Sequence, residues 1–382
     1  MRSGKPEIEQ NFNFMTLRLI TTAILLFDLL LSNCGTDGDG QYIPYISMGS
    51  IHTPVELKLV HGAVPVARVE VNGSKNLDML VDTGSSMTYV PAGIFGNPEG
   101  EVYISSLCFE NGLGFNNFMA LSSDSAFTQS KNGYYNGIIG FDILKNFDLT
   151  FDYKEELLYF YDTLGNGSSA LVTFPIHYES NRPFTNVSIE GKSKAATLLD
   201  TGAAYTRITS LILDSLIQTS EVLFKSVIFN FDVSEVVEYL LLNDYCAGLA
   251  CPEELIVQIG SWPAVGGTFF REYLTIFKFS ENVLKLDRHY NSDHIKESGI
   301  QKTGLQINIY EASEIIYVNE GSLTWKVGFR EGYEIISVNG IPIDSLGYFG
   351  VYDLFSDISI DEFQFLVVTL TGDVEDVILS IE

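Results

Sequence analysis

Two short segments of the chain show the same alternation of apolar and polar positions. Residues 69–73 read Val-Glu-Val-Asn-Gly and residues 187–191 read Val-Ser-Ile-Glu-Gly, and each pattern predicts a half-buried strand that closes on a tight hairpin turn. A mainly apolar run follows each turn, at 77–81 and at 196–199, as expected of a buried strand. With its frequent aromatic residues and few long helical patterns, the chain predicts a mostly β fold over roughly its first three quarters.

Both apolar runs end in the same tripeptide, which is followed by two small residues. The two copies are Asp82-Thr83-Gly84 and Asp200-Thr201-Gly202. They are 118 positions apart, which is also the separation of the two alternating segments. A single Asp-Thr-Gly is most often an ordinary turn, because Asp and Gly are common turn formers. Two copies in matching surroundings indicate shared chemistry instead.

A second pair of matching segments lies downstream. Residues 138–140 read Ile-Ile-Gly and residues 264–266 read Ala-Val-Gly, and a strand-like apolar segment follows each, at 157–160 and at 283–286. The separation here is 126 positions, so the two copies differ by eight residues between the Asp turn and this segment. The chain therefore contains an internal duplication.

The order of these features resembles that of the retropepsin-like aspartic peptidases: an apolar strand, Asp-Thr-Gly, a variable segment, then two apolar residues and Gly. The resemblance covers about residues 55–290. It implies a two-lobed acid-protease fold built from one chain, which works as a monomer with Asp82 and Asp200 as its catalytic pair. The residues expected to support that pair are Thr83, Gly84, Thr201 and Gly202. The hydroxyl groups of the two threonines would anchor the two turns, and the glycines would let the backbone approach the carboxyl groups.

Two neighbouring carboxyl groups suit the hydrolysis of a peptide bond. One group must take a proton from water while another gives a proton to the carbonyl oxygen. Because like charges held close together cannot both ionise, the pair shares one proton and supplies a base and an acid at once, as in the aspartic proteases. The sequence therefore predicts an enzyme that needs neither a metal nor a cofactor.

A substrate cleft between the lobes is expected to lie under mobile segments, for which we consider residues 103–135 and 223–262. The first of these segments is rich in Asn, Gly and Ser. Its aromatic residues have two interpretations, as walls of substrate subsites or as ordinary core. These residues are Phe115, Phe118, Tyr134 and Tyr135.

The N-terminus predicts export. Arg18 precedes an apolar run at 19–31, which is shorter than the roughly 20 residues that span a bilayer and fits the core of a signal peptide. Cys34 follows this run, as in bacterial lipoprotein signals, and would then be lipidated and anchor the protein to the outer membrane of a bacterial envelope. A plain secretory signal and an uncleaved anchor are the alternatives. Residues 35–52 would form a flexible acidic tether.

The charge of the chain restricts its partners. There are 22 basic and 49 acidic residues, which gives a net charge of −27. A chain this acidic repels nucleic acid, so nucleic acid is not an expected partner.

Two of the remaining cysteines are close enough in the sequence to form a disulfide bond. Cys246 and Cys251 are five positions apart and could form a local disulfide outside the cytoplasm, or could stay a reduced pair.

The last part of the chain has a different pattern. Residues 304–307 open an alternating strand, and 327–343 place an Asn-Gly turn between two strands. This arrangement resembles a PDZ domain of the bacterial type, although Tyr333 stands where Asp is usual. The resemblance implies that the C-terminus of a peptide adds as a strand along Gly304, Leu305, Gln306 and Ile307.

Together these patterns predict six segments: a signal peptide at 1–34, a tether at 35–52, a first lobe at 53–165, a second lobe at 170–290, a linker at 291–302 and a PDZ domain at 303–382. The predicted function is an aspartic endopeptidase that cuts peptides or proteins. Two other hypotheses are an inactive peptide-binding protein of the envelope and an obligate dimer in which one Asp-Thr-Gly per chain works.

Overall fold

A computed structural model describes residues 45–47, 53–60, 62–73, 75–93, 99–123, 135–160, 172–213, 222–230, 233–287, 303–307, 313–356 and 359–381. Strands account for most of these residues, which confirms the mostly β fold. The predicted signal segment with Cys34 and nearly all of the predicted tether lie outside the described residues. Within the described ranges, no helix combines the length and apolarity that a bilayer span requires.

The first repeat, residues 53–160, is built mainly of antiparallel hairpins, and its described residues include one short helix. After a separate short strand β1 (Tyr45–Ser47), its elements are β2 (Val55–Val60), β3 (Val64–Val71), β4 (Lys75–Val81), β5 (Tyr89–Val90), β6 (Gly100–Phe109), β7 (Gly114–Ser122), β8 (Gly137–Ile139), α1 (Phe141–Leu144), β9 (Leu149–Asp152) and β10 (Leu157–Phe160).

The second repeat, residues 172–287, follows the same plan. Its elements are β11 (Val172–Pro175), β12 (His177–Glu179), β13 (Arg182–Ile189), β14 (Lys192–Leu199), β15 (Thr206–Thr209), α2 (Ser210–Leu213), β16 (Val222–Asn230), β17 (Val233–Leu242), β18 (Tyr245–Ala247), β19 (Leu255–Gly260), β20 (Ala264–Val265), α3 (Gly267–Phe270), β21 (Leu274–Lys278) and β22 (Val283–Asp287).

The C-terminal segment, residues 303–381, has its own apolar core. Its elements are β23 (Leu305–Ile307), β24 (Ile315–Val318), α4 (Leu323–Lys326), β25 (Glu334–Val338), β26 (Ile341–Pro342), α5 (Ile343–Ser356), β27 (Glu362–Val368) and β28 (Val374–Ser380). Strands β23 and β24 form a hairpin, and the other four form a sheet in the order β26-β25-β27-β28. Phe329, Phe363 and Phe365 are fully buried at the centre of this segment.

The predicted hairpins are present in both repeats. β3 and β4 turn at Asn72 and Gly73, which both have positive φ angles, and β13 and β14 turn at Glu190 and Gly191 in the same conformation. Because a positive φ is easy for Gly and strained for most other residues, each Gly favours the turn at its position. The two turns therefore set the register of the strands that lead to the Asp residues.

In both repeats the strand that leads to the Asp lies beside the downstream segment. β4 is parallel to β8, with Leu80 opposite Ile138, and β8 is antiparallel to β5. β14 is likewise parallel to β20, with Leu198 opposite Ala264, and β20 is antiparallel to β15. These pairs reproduce the separations of 118 and 126 seen in the sequence, so the strand pairing confirms the internal duplication.

The two repeats join in a common sheet. Part of its strand order is β2-β10-β9-β21-β22-β11, so each repeat supplies three adjacent strands. At the centre, β9 and β21 run antiparallel with Thr150 opposite Ile276. These two residues are 126 positions apart, which makes them equivalent members of the duplication. The local two-fold axis therefore passes between them.

The eight-residue difference between the copies is the net result of two larger changes. Leu107 in β6 pairs with Val71. At the equivalent place Tyr245 in β18 pairs with Ile189, so the separation rises from 118 to 138 before it falls back to 126 at β20. The gain corresponds to the long hairpin β16–β17, and the loss to a shorter connection between β19 and β20 than between β7 and β8.

Aromatic rings fill the core of the first repeat. Phe115 contacts Phe109, Phe147 and Phe160, and it is completely buried. Phe118 is only 3% exposed. The interpretation of these two residues as subsite walls was therefore wrong, because the β6–β7 hairpin is paired with β3 and its rings face the core. Tyr134 lies outside the described residues.

The local disulfide is present. Cys246 and Cys251 are bonded, and the turn between them is closed by hydrogen bonds of 3.0 Å in each direction between the main chains of Ala247 and Ala250. Cys108 takes no part in a disulfide. Of the two states left open by the sequence, the structure has the bonded one.

Candidate active site

Each Asp follows the last residue of a strand buried between two others. The main-chain N–H of Asp82 donates to the carbonyl of Ile139 at 3.0 Å, and that of Asp200 donates to the carbonyl of Val265 at 3.0 Å. Strand β8, which is parallel to β4, and strand β20, which is parallel to β14, thus hold the two Asp turns in the same way. The two Asp residues are therefore placed by equivalent backbone contacts from the two halves of one chain.

The two carboxyl groups meet across the junction of the repeats. A Cβ atom added to Gly84 would lie 2.5 Å from the Asp200 Cγ, and one added to Gly202 would lie 2.6 Å from either Asp82 carboxyl oxygen. Real Cβ atoms are not found so close to another side chain, so each turn needs Gly to make room for the carboxyl group of the other turn. The carboxyl groups of Asp82 and Asp200 are also within hydrogen-bonding range of each other.

Asp82 is held by its own turn. Its Oδ1 accepts the main-chain N–H of Gly84 at 2.7 Å and that of Ser85 at 3.1 Å. Burial, followed by the charge of Asp200, raises the pKa of the Asp82 carboxyl well above its ordinary value, although the two N–H groups act in the opposite direction. This carboxyl therefore retains a proton at a pH where an exposed Asp has lost it.

Thr83 and Thr201 lock the two turns together. The Thr83 N–H donates to Thr201 Oγ1 at 3.0 Å, and the Thr201 N–H donates to Thr83 Oγ1 at 3.1 Å. Each hydroxyl then donates across the junction, from Thr83 to the Leu199 carbonyl at 2.7 Å and from Thr201 to the Val81 carbonyl at 2.7 Å. Both Thr side chains are fully buried, so these four bonds have no competition from water.

A second set of hydrogen bonds supports each turn from behind. The N–H of Gly140 donates to Thr88 Oγ1 at 3.0 Å, and that of Gly266 donates to Thr206 Oγ1 at 3.1 Å. In the first repeat, Asp142 accepts both the N–H and the hydroxyl of Thr88, at 3.0 and 2.8 Å. Neither threonine nor Asp142 carried a motif that marked it in the sequence, because these contacts join residues more than 50 positions apart.

A small buried apolar cluster lies apart from the main core of the first repeat. It consists of Val60, Val64, Val66 and Leu80, and the half-buried Tyr135 packs against it. Burial, followed by the charges of Asp82 and Asp200, raises the pKa of Tyr135 to about 12.

The predicted peptide-binding residues of the C-terminal segment form an edge strand. Gly304 has a φ angle of +74°, and a Cβ atom there would collide with the side chain of Ser322. Leu305 and Ile307 are buried in the same core as Phe355 of α5. In the described part of the chain, β23 forms a two-stranded sheet with β24.

Two carboxyl groups at hydrogen-bonding range, here one half-buried and one buried, can share one proton and then act together as base and acid. The predicted lipidation site, Cys34, cannot be placed relative to them, because it lies outside the described residues. Comparison with protein-family models gives no match for this chain, and comparison with curated proteins gives none either.

Proposed function

We propose that this chain is an aspartic endopeptidase with a two-lobed, retropepsin-like fold, in which residues 53–165 and 170–290 form the lobes. The observation that carries the proposal is the approach of the Asp82 and Asp200 carboxyl groups, each housed by the Gly of the other turn. An ordinary turn does not need Gly at this position to make room for the carboxyl group of a distant residue. The contact lies within one chain, which favours a working monomer over the obligate dimer.

In the proposed reaction, a water molecule lies between the two carboxyl groups. The ionised carboxylate takes one proton from the water while its oxygen attacks the carbonyl carbon of the peptide bond, and the protonated carboxyl gives its proton to the carbonyl oxygen. The resulting tetrahedral intermediate collapses as its nitrogen gains a proton from the pair, one of its hydroxyl groups gives a proton back to the pair, and the C–N bond breaks. A carboxylic acid and an amine leave, and the pair again holds one proton. No step requires a metal or a cofactor.

We further propose that the C-terminal segment is a PDZ domain that binds a peptide or partner by its C-terminus. The β23–β24 hairpin, the positive φ of Gly304 and the core shared with α5 support this assignment. Export through the N-terminal signal, with lipidation of Cys34 and display on a bacterial outer membrane, is proposed on the sequence alone.

The proposal is tested by cleavage of a varied peptide library from acidic to neutral pH. Purified wild-type protein should cut peptides, and a peptidomimetic inhibitor with a hydroxyl at the position of the attacked carbon should block it. If the protein folds but cleaves no peptide under any of these conditions, the proposed endopeptidase activity is wrong. If that protein nevertheless binds peptides, the inactive envelope binding protein becomes the better hypothesis.

A further inference from the structure

One face of the long hairpin β16–β17 packs beside the segment that leaves the Asp200 turn. Val237 and Tyr239 of β17 are buried, and the half-buried Tyr205 packs against them. The rings of Tyr205 and Tyr239 meet edge to face, with their centroids 4.6 Å apart. Tyr205 directly precedes Thr206, whose hydroxyl supports this turn from behind. The position of the hairpin therefore bears on the turn that holds a catalytic carboxyl group.

The opposite face of the hairpin carries an ion pair. Glu238 lies between Val237 and Tyr239, and successive side chains along a strand project from opposite faces. Its carboxylate pairs at 2.6 Å with the Nζ of Lys225, the residue directly opposite in β16. Both side chains are partly exposed. The ion pair therefore lies on the face that is turned away from the Tyr205 contact.

The C-terminal segment meets the hairpin at this ion pair. Strand β24 lies against β16, and Cα atoms of the two strands come within 8 Å of each other. Burial raises the pKa of the half-buried Tyr317 in β24, and the charges of Lys225 and Glu238 act on it in opposite directions. Tyr317 is therefore near both members of the ion pair. The hairpin lies between the C-terminal segment and the Asp200 turn.

Carboxylates from both sides surround this contact. Glu320 and Glu331 of the C-terminal segment and Glu238 of the hairpin all act on Tyr317, and Lys225 acts against them. In a chain with a net charge of −27, a lysine among these carboxylates offsets their mutual repulsion. The charge of Lys225 should therefore help to hold the C-terminal segment on the hairpin.

The contact continues to the strand on which a peptide is proposed to bind. Tyr317 is opposite Gln306 of β23, and β23 and β24 form a two-stranded sheet. Two strands by themselves are only marginally stable, and a third strand stabilises such a pair. A peptide that adds as a strand along β23 would therefore hold β24 in place, together with the surface that β24 presents to β16.

We propose that the contact between β24 and the hairpin β16–β17 couples peptide binding at the C-terminal segment to cleavage. A bound peptide holds β24 against the hairpin, and the hairpin holds Tyr205 and the Asp200 turn in the arrangement that binds the substrate. The coupling rests on the proposed peptidase and peptide-binding functions, and it adds that the occupied C-terminal segment activates the cleft. By linkage, a ligand in the cleft must also favour peptide binding at the C-terminal segment.

The test uses the full chain and a short labelled peptide that has a free C-terminal carboxylate and is not itself cleaved. The same peptide with an amide at its C-terminus is the ligand control. Lys225→Gln removes the charge at the contact, and Lys225→Arg keeps it. Lys285→Gln is the matched control, because Lys285 forms a similar ion pair with Glu281, at 3.6 Å, beside β22 of the common sheet.

The carboxylate peptide should raise kcat/KM of the wild type for a separate substrate about fivefold, and the peptidomimetic inhibitor should tighten binding of the labelled peptide about fivefold. The amide peptide should not change kcat/KM. Lys225→Gln should reduce both effects to less than about twofold, whereas Lys225→Arg and Lys285→Gln should keep them. Fluorescence anisotropy measures the binding, and thermal unfolding shows whether each variant is folded.

Four results would overturn the inference, and they are distinguishable. If the wild type cleaves its substrate and binds the peptide but neither affects the other, the coupling is wrong and the peptidase function stands. If folded Lys225→Gln keeps the full coupling, the contact with the hairpin does not carry it. If the wild type cleaves its substrate but does not bind the carboxylate peptide, the role of the C-terminal segment is wrong. If the folded wild type cleaves no peptide at all, the peptidase function is wrong and the coupling fails with it.

Discussion

Thr83 and Thr201 exchange hydrogen bonds with each other, each giving its main-chain N–H to the hydroxyl oxygen of the other. Each hydroxyl also donates to the carbonyl that precedes the Asp of the opposite turn. The two residues therefore fix the distance between the carboxyl groups, since neither turn can move without breaking bonds to the other. This exchange joins the halves of a duplicated chain at the point where the proposed chemistry occurs.

Loss of this exchange should weaken folding. Thr83→Val removes a hydroxyl that makes one donor bond and accepts another, and it leaves a buried carbonyl and a buried N–H without partners. We expect the free energy of unfolding to fall by about 2–4 kcal/mol. Urea denaturation measures this change, with the exposed Thr173→Val as a control expected to lie within about 0.5 kcal/mol of the wild type. If Thr83→Val and Thr173→Val change the free energy of unfolding equally, the hydrogen bonds between Thr83 and Thr201 do not stabilise the fold.

Either Asp should be essential for cleavage. Asp82→Asn and Asp200→Asn each leave the pair unable to act as both base and acid, so we expect kcat to fall by at least about 10³-fold in each variant. Asp78→Asn in β4, the strand that leads to Asp82, is the control, because the half-exposed side chain of Asp78 forms a surface ion pair with Arg68 at 3.6 Å. A substantial rate retained by one of the two dyad variants would rule out the shared pair.

Stability should decrease with rising pH in the acidic range. Burial and the charge of Asp200 raise the pKa of Asp82, so the folded chain holds this proton more tightly than the unfolded chain. The stabilisation that comes from the raised pKa of Asp82 is complete below the ordinary Asp pKa of about 4. It is lost as the pH rises through the raised pKa of Asp82 in the folded chain. Burial also raises the pKa of Asp142, which acts in the same direction.

Chemical denaturation at a series of pH values measures this dependence. The free energy of unfolding of the wild type should fall above about pH 4, and the fall should be smaller in Asp82→Asn, because that side chain no longer titrates. Identical slopes in the two proteins would show that Asp82 does not carry the raised pKa.

The disulfide should make a modest contribution to stability. Cys246 and Cys251 close a short loop, for which loss of chain entropy in the unfolded state predicts about 2 kcal/mol. Cys251→Ser should therefore lower the free energy of unfolding by about this amount, and a reductant should have the same effect on the wild type but none on the variant. Cys108→Ser serves as the control, since Cys108 is outside the disulfide. A wild type insensitive to reductant would contradict the prediction.

Peptide binding by the C-terminal segment should depend on Gly304. Gly304→Ala forces a side chain into a positive φ and against Ser322, so the start of β23 must move. Fluorescence anisotropy should show at least tenfold weaker binding of a labelled peptide that has a free C-terminal carboxylate. Gly372→Ala is a matched control with a φ of +85° and open space around it, and it should bind as the wild type does. Equal affinity of all three proteins would remove Gly304 from the binding site.

Several features of this protein were evident in the sequence because they are local or repeated. The alternating segments and their turns at Gly73 and Gly191 indicate hairpins from neighbouring residues alone. The two Asp-Thr-Gly motifs, placed at a constant separation from those hairpins, indicate a duplicated structure with paired carboxyl groups. Turn chemistry and alternation act over a few residues, so they can be recognised without knowledge of the fold.

The tertiary structure alone decided which distant residues meet. It placed Phe115 in the main core and Tyr135 against a small separate cluster, although both come from one aromatic-rich region. It also showed that the hydroxyl of Thr83 donates to a carbonyl 116 positions away. The two copies differ in length by only eight residues, and the structure showed that the second copy nevertheless contains the long hairpin β16–β17. Such contacts depend on how sheets close and pack, and a linear pattern carries no record of that closure. The motifs therefore identify the proposed catalytic pair, whereas the fold determines how it is held and what surrounds it.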